Sequence, residues 1–195
     1  MSNRIGSDEA DLHDFYKNLE SLHNKLDGYF KSTFNRSLPF NEEISDRWVR
    51  AQSLGFGDKS SIYDSAFVFG DVKMGKNCWI GPFTIIDGSG GLSIGDNCTI
   101  SVGVHLYSHD NLKQTLTGGM VEIERSPLVV GNNTYIGPQS IITKGITIGN
   151  HCVVAANSFV NCNIEDNAIY GGNPAKKIGT VDVNNQNVTF NYLSK

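Results

Sequence analysis

The 195-residue sequence predicts a mainly β chain, a parallel β-helix wound from six-residue repeats behind an N-terminal helical segment. Three observations predict it. An aliphatic residue recurs at every sixth position over most of residues 62–179, the residue after it is often glycine, and the residue four places after it is small or branched. A period of six matches neither the 3.6 of an amphipathic helix nor the alternation of a single strand. It matches a coil of three short strands, each followed by a corner, so about three hexapeptides close one turn. Such turns bury their core only against one another.

Residues 1–61 follow a different period. Leu12, Phe15, Leu19, Leu22, Leu26 and Tyr29 step by three and four and draw one apolar helical stripe. Ser7 suits the start of this helix, with Asp8 and Glu9 at the positive end of its dipole. Asn35 and Pro39 close it. A shorter helix is predicted from about Glu42 to Ser53, entered through Asn41. The stripe is expected to pack on the β-helix or on a neighbouring subunit.

The ladder begins at Ile62 and runs through Val68, Met74, Ile80 and Ile86. It shifts by two at Gly88-Ser-Gly-Gly91, read as a corner insertion, and resumes at Ile94, Ile100 and Leu106. A loop over residues 107–126 projects from the coil. The ladder then continues through Val130, Ile136, Ile142, Ile148, Val154 and Val160, ending in an irregular turn with Ile164, Tyr170 and Ile178. Ala66, Val72, Cys78, Thr84, Cys98, Val104, Thr134, Ser140, Ile146, Cys152 and Ser158 share the small-residue slot. Three of the four cysteines are thereby read as buried fillers, and Cys162 falls outside the register. Residues 180–195 are asparagine-rich and aperiodic and read as an irregular or extended extension.

Composition excludes several classes. A net charge of −4 argues against a general nucleic-acid binder, which needs a basic face to displace counterions. No apolar run approaches the roughly 18 residues of a membrane helix. The first residues lack the apolar centre of a signal peptide, so the expectation is a cytoplasmic protein without membrane insertion. No CxxC is present, and Gly88-Ser-Gly-Gly91 lacks the following helix of a phosphate-binding loop.

Three segments carry a resemblance: Ile94-Gly-Asp-Asn-Cys-Thr-Ile-Ser-Val-Gly-Val-His-Leu-Tyr-Ser-His-Asp110, Pro127-Leu-Val-Val-Gly-Asn-Asn-Thr-Tyr-Ile-Gly-Pro138 and Gly172-Asn-Pro-Ala-Lys-Lys-Ile178. In this order and spacing, over roughly residues 60–180, the chain resembles the hexapeptide-repeat acyltransferases, in particular the sugar O-acetyltransferases of the maltose and galactoside branch. The resemblance implies a left-handed coil, against the general right-handed rule for parallel crossovers. It also implies a homotrimer of parallel prisms, acetyl-CoA as co-substrate in a groove between subunits, and no metal. The matching histidine is His109, which would take the proton of a sugar hydroxyl as it attacks the thioester. Asp87 matches a carboxylate that helps hold the acceptor, and Asp110 is a second acceptor-site candidate that could orient the imidazole. The cofactor positions that match are Tyr135, Gly137, Ala155, Asn161 and Lys176. Tyr135 stands where many relatives carry tryptophan. Asn161-Cys162 replaces a Thr-Lys pair, which leaves Lys176, with Lys177 beside it, as the phosphate partner.

The region before the coil lacks the motif that introduces the maltose and galactoside enzymes, so the expected acceptor is a sugar of surface-polysaccharide assembly, free, nucleotide-linked or lipid-linked. The alternatives are an N-acetyltransferase of an amino-sugar nucleotide, a β-helix hydratase holding zinc with His105, His109 and His151, and a non-catalytic scaffold. His105, His151, His13 and His23 are otherwise read as structural or surface residues.

Overall fold

The computed structural model describes residues 10–193 and divides into two compact units, one up to Asp46 and one from Arg47 onward. The first unit holds α1 (Ala10–Phe34) and α2 (Phe40–Ile44). Of the stripe on α1, Leu19 and Leu26 are half-buried, while Leu12, Phe15, Leu22 and Tyr29 are exposed. The expected cap at Ser7 lies outside the described residues. At the other end Asn35 takes a left-handed φ of 52° and its N–H returns to the carbonyl of Lys31. Asparagine tolerates that conformation and so ends the helix. His23 packs its ring on Phe40, with centroids 5.0 Å apart.

The single helix expected from Glu42 to Ser53 is broken. Backbone at Ser45 is extended (φ −84°, ψ 125°), and α3 (Arg47–Ser53) starts afresh in the second unit. Serine and aspartate compete for backbone hydrogen bonds and favour helix ends over helix interiors, so Ser45-Asp46 interrupts the pattern. From α3, the Arg50 guanidinium donates to the carbonyls of Tyr63 and Ala66, the latter at 2.7 Å, and Ala51 joins the buried core. This helix covers the first turn of a parallel solenoid of about six turns.

The solenoid has three faces. Ser61–Ile62, Trp79–Ile80, Thr99–Ile100, Tyr135–Ile136, Val153–Val154 and Ala168–Gly171 stack in register on the first. The second takes the leading halves of Phe67–Met74 and Ile85–Ile94, then His105–Leu106, Ile141–Ile142 and Phe159–Val160. The third takes the trailing halves of those two long strands, then Leu128–Val130 and Thr147–Ile148, with Ile164 bridging Ile148. In each two-residue strand stacked on these faces the second residue points inward, as Ile86 does in the long strand Ile85–Ile94. Ile62, Ile80, Ile86, Ile100, Leu106, Ile136, Ile142, Ile148, Val154 and Val160 are all 0% exposed, which is the ladder read from the sequence. Val68, Tyr170 and Ile178 are only half-buried. The small slot is buried too, except for Val72, and it holds Cys78, Cys98 and Cys152 as free thiols, whereas Cys162 is exposed.

Between the third and first faces the chain turns through a column of left-handed residues: Asn77, Asn97, Asn133, His151 and Asn167. Their side chains bond up the column, Asn77 Nδ2 to Asn97 Oδ1 at 2.8 Å and Asn97 Nδ2 to Asn133 Oδ1 at 3.1 Å. His151 continues it, with Nε2 3.4 Å from Asn133 Nδ2. Truncating the interior ladder should be costly. Ile136→Ala or Ile148→Ala is expected to lose about 2–5 kcal/mol, because neighbouring turns cannot close over the void. Urea unfolding at the wild-type midpoint by both variants would contradict the ladder.

The C-terminal residues, expected to be irregular or extended, form a hairpin. Lys176–Asn184 pairs antiparallel with Ala168–Gly171 and with Asn187–Tyr192. The asparagine run supplies the turn, with Asn185 at φ 55°. Among the described residues no helix is long and apolar enough to cross a membrane.

Candidate active site

The corner between the second and third faces departs most from the regular coil. Ile86 to Ile94 spans eight positions where Val68 to Met74, one turn earlier, spans six. The long strand Ile85–Ile94 absorbs the two extra residues by a shift against Phe67–Met74. One turn later the corner opens into the projecting loop, which carries the one-turn helix α4 (Leu112–Leu116). Its two ends pair antiparallel as His109–Asp110 and Glu124–Arg125.

Strand alternation turns Asp87 away from Ile86 and the interior ladder. The next turn of the coil covers it, leaving the residue 1% exposed. Its Oδ1 accepts from the Ser89 N–H at 3.0 Å and the Ser89 hydroxyl at 2.5 Å. Its Oδ2 accepts from the Ser108 N–H at 3.0 Å and lies 2.6 Å from His109 Nδ1. Ser108, fully buried, receives the Gly90 N–H on its hydroxyl at 2.8 Å. A Cβ on Gly90 would lie 2.3 Å from the Ser108 carbonyl, so this contact requires glycine. The corner insertion thus brings Ser89 and Gly90 beneath the carboxylate and its partner.

Burial pushes the Asp87 carboxyl up, but the donors from Ser89, Ser108 and His109 outweigh it and hold it at about 2. At neutral pH the group is a carboxylate and can only accept. His109 Nδ1 therefore carries the proton of the shared bond, and the lone pair on Nε2 is left for another partner. The ring is 36% exposed and lines a pocket of about 340 Å³ with Tyr107, Asp110, Asn111, Ile123, Thr143 and Lys144.

The sequence reading gave Asp87 to the acceptor and the imidazole to Asp110. The structure places Asp87 on the imidazole, out of the pocket, and Asp110 in the pocket wall, ion-paired with Lys144. Adjacent side chains on a strand diverge, which explains why Asp110 does not reach the ring. His105, read close to the interior slot, instead faces outward between Ile85 and Ile141, while Val104 fills the slot. Its Nδ1 lies 3.2 Å from the Tyr107 hydroxyl. Ser89, Ser108, Tyr107, Thr143, Lys144 and Glu124 were not singled out from the sequence, since all of them hold ordinary corner or loop positions in the repeat. Among the described residues no cluster of three or more metal-ligating side chains occurs, and His151 sits on a different corner from His105 and His109.

Two family models match the chain: a bacterial transferase hexapeptide of six repeats over residues 127–162, and the hexapeptide repeat of succinyl-transferase over 71–108. YJL218W of Saccharomyces cerevisiae, a protein named as an acetyltransferase, is 31% identical over 167 residues, which is 82% of each chain. The chain belongs to the hexapeptide-repeat acyltransferases. A maltose O-acetyltransferase structure from Clostridium difficile 630 superposes with a TM-score of 0.58 at 25% identity, covering 84% of this chain and 86% of that one. AntD, an N-acyltransferase from Bacillus cereus solved with dTDP and coenzyme A, shares the fold with a TM-score of 0.57 at 23% identity, covering 68% and 88%. The fold therefore serves both O- and N-acylation.

The positions that the family pattern assigns to cofactor fall in four places. Gly137 and Ala155 lie one turn apart on the corner between the first and second faces. The Gly137 N–H bonds the Val154 carbonyl at 2.8 Å, and a Cβ there would meet the Ala156 nitrogen at 2.6 Å. Tyr135 is exposed on the first face. Asn161 is exposed on the corner that carries His109, one turn beyond Thr143, whose N–H bonds the Val160 carbonyl. Lys176 is exposed at the start of the hairpin, and Lys177 is ion-paired with Glu165 at 2.6 Å.

Proposed function

We propose that the protein moves an acetyl group from acetyl-CoA to a hydroxyl of a sugar, with His109 as general base. The observation that carries this reading is the bond from His109 Nδ1 to the buried Asp87 carboxylate, which leaves Nε2 without that partner on a ring that lines the pocket. A sugar hydroxyl enters the pocket and gives its proton to Nε2 as its oxygen attacks the thioester carbonyl. The carbon–sulfur bond then breaks, and the imidazolium returns the proton to the departing thiolate. Asp87 holds the ring and stabilises its charge between the two transfers. Likeness to the maltose enzyme supports a hydroxyl acceptor. A positioned base also suits a hydroxyl more than an amine, since a free amine attacks without prior loss of a proton.

Gly137, Ala155, Tyr135, Asn161 and Lys176 are proposed to line the acetyl-CoA groove, with Lys176 at a phosphate. Gly137 and Ala155 stand one corner away from His109 and Asn161. A groove formed between copies of a cyclic trimer would bring both sets to one cofactor. The acceptor is proposed to be a sugar of surface-polysaccharide assembly. An acceptor screen with acetyl-CoA and thiol detection tests the reading, on protein whose mass in solution is measured alongside. Thiol release that depends on neutral sugars or sugar nucleotides is expected. Release with amino-sugar nucleotides alone would move the assignment to N-acetylation.

A further inference from the structure

The loop that carries His109 is tied to the coil by charge. Asp110 and Glu124 stand on its two paired ends, and both meet Lys144, which comes from the next turn. Lys144 Nζ contacts Asp110 Oδ2 and lies 3.2 Å from Glu124 Oε2. Lys113, from α4, also pairs with Glu124. The two lysines differ in place: the Lys144 side chain is 22% exposed and lines the pocket with His109, whereas Lys113 is 63% exposed. The charged groups around the imidazole are thus Asp87 on its ring, Asp110 beside it in the chain, Lys144 in the pocket wall, Glu124 behind it, Lys113 further out, and Arg125 paired across the strand. Tyr107 adds a neutral phenol to the wall.

We propose that Lys144 is a positioning residue for the His109 base: it fastens both ends of the loop to the coil and neutralises Asp110, which shares the pocket wall with the imidazole, and Glu124, which pairs with Asp110 across the loop's two ends. The inference rests on the reading of His109 as the base. Asp87 already stabilises the protonated ring. Two more carboxylates without their cation would stabilise it further and leave less neutral imidazole to accept a proton. The pull of Lys144 holds the Asp110 carboxyl below its ordinary value. Lys113 first and then Lys144 do the same for Glu124, and Asp110 in turn holds the Lys144 ammonium above its own. The three groups form a charged cluster at neutral pH. Nothing in the hexapeptide pattern asks for lysine at this corner.

The test is the pH dependence of kcat/KM for acetyl transfer. In Lys144→Met the rising limb should move to higher pH by about 0.5–1. Lys144→Arg, which keeps the charge, should stay within about 0.2 of wild type. Lys144→Met combined with Asp110→Asn and Glu124→Gln should return toward the wild-type limb, whatever its absolute rate. Should Lys144→Met not fold, Glu124→Gln alone should move the limb to lower pH. A limb that stays in place in Lys144→Met, or stays displaced in the triple variant, would overturn the inference. His109→Ala is run in parallel. If it turns over like wild type, the reading of the base falls; if it is inactive while the Lys144→Met limb does not move, only the role of Lys144 falls.

Discussion

Replacing His109 by alanine should lower turnover by about 10²–10⁴-fold while leaving the fold and acetyl-CoA affinity unchanged. The size follows from the role. The imidazole contributes nothing to the interior ladder, its ring lies at the pocket wall, and the loss of an acid–base group costs this much in rate. The selectivity follows from the geometry: of the proposed groove residues, Gly137 and Ala155 lie on another corner, Tyr135 on the first face and Lys176 on the hairpin, and only Asn161 shares the corner of the ring. Turnover in the wild type should rise with pH, since only the neutral ring accepts the acceptor's proton. Measurement of kcat, KM for each substrate and urea midpoint for the variant separates these effects. A variant that turns over within threefold of wild type, in an assay with a verified acceptor, would remove the mechanism and leave the solenoid standing.

The solenoid was legible because its physics is periodic. A stacked interior admits one inward aliphatic residue per strand, so the spacing of Ile136, Ile142 and Ile148 states the coil directly. His109 was legible through the resemblance, in which the matching histidine ends a strand just before a loop that projects from the coil; the repeat alone would leave it an ordinary loop residue. The partner of His109 was harder. Asp87 lies 22 positions before the histidine, and only the stacking of turns brings the corner insertion under the loop. The two-residue shift in register was visible, but its consequence was not, because it depends on Ser89 turning back onto Asp87 and on Gly90 meeting Ser108 across turns. Lys144 was hidden for the same reason: it stands 34 positions from Asp110 and holds a corner position that the repeat leaves unspecified. The break at Ser45 and the pairing of the extended tail about Asn185 were not visible, because a few turn-forming residues decide them against the surrounding pattern.

Asp87→Asn should be nearly as damaging to turnover as loss of the histidine, at about 10²–10⁴-fold, although it removes no atom from the side chain's outline. The carboxylate accepts on both sides, from Ser89 at Oδ1 and from Ser108 and His109 at Oδ2. An asparagine can accept on one side only. With its amide nitrogen toward His109, it confronts the Ser108 N–H and forces Nδ1 to accept. The ring proton then moves to Nε2, where the base is needed. With the nitrogen toward Ser89, it faces the Ser89 N–H and leaves a donor unpaired in a buried site. The substitution also changes the response to acid. The Asp87 carboxyl sits at about 2 in the folded chain against an ordinary value of 3.8, so its ionised form stabilises the fold above about pH 4. That contribution disappears as the pH falls from 4 through 2. Wild type should therefore lose stability more steeply over this interval than Asp87→Asn, which has no carboxyl to protonate and starts lower at neutral pH. Urea midpoints from pH 7 down to 2, with kcat measured at pH 7, check both halves. Parallel acid profiles would show that Asp87 is not held ionised by its neighbours. Wild-type turnover in the variant would show that the ring does not need its carboxylate to present Nε2.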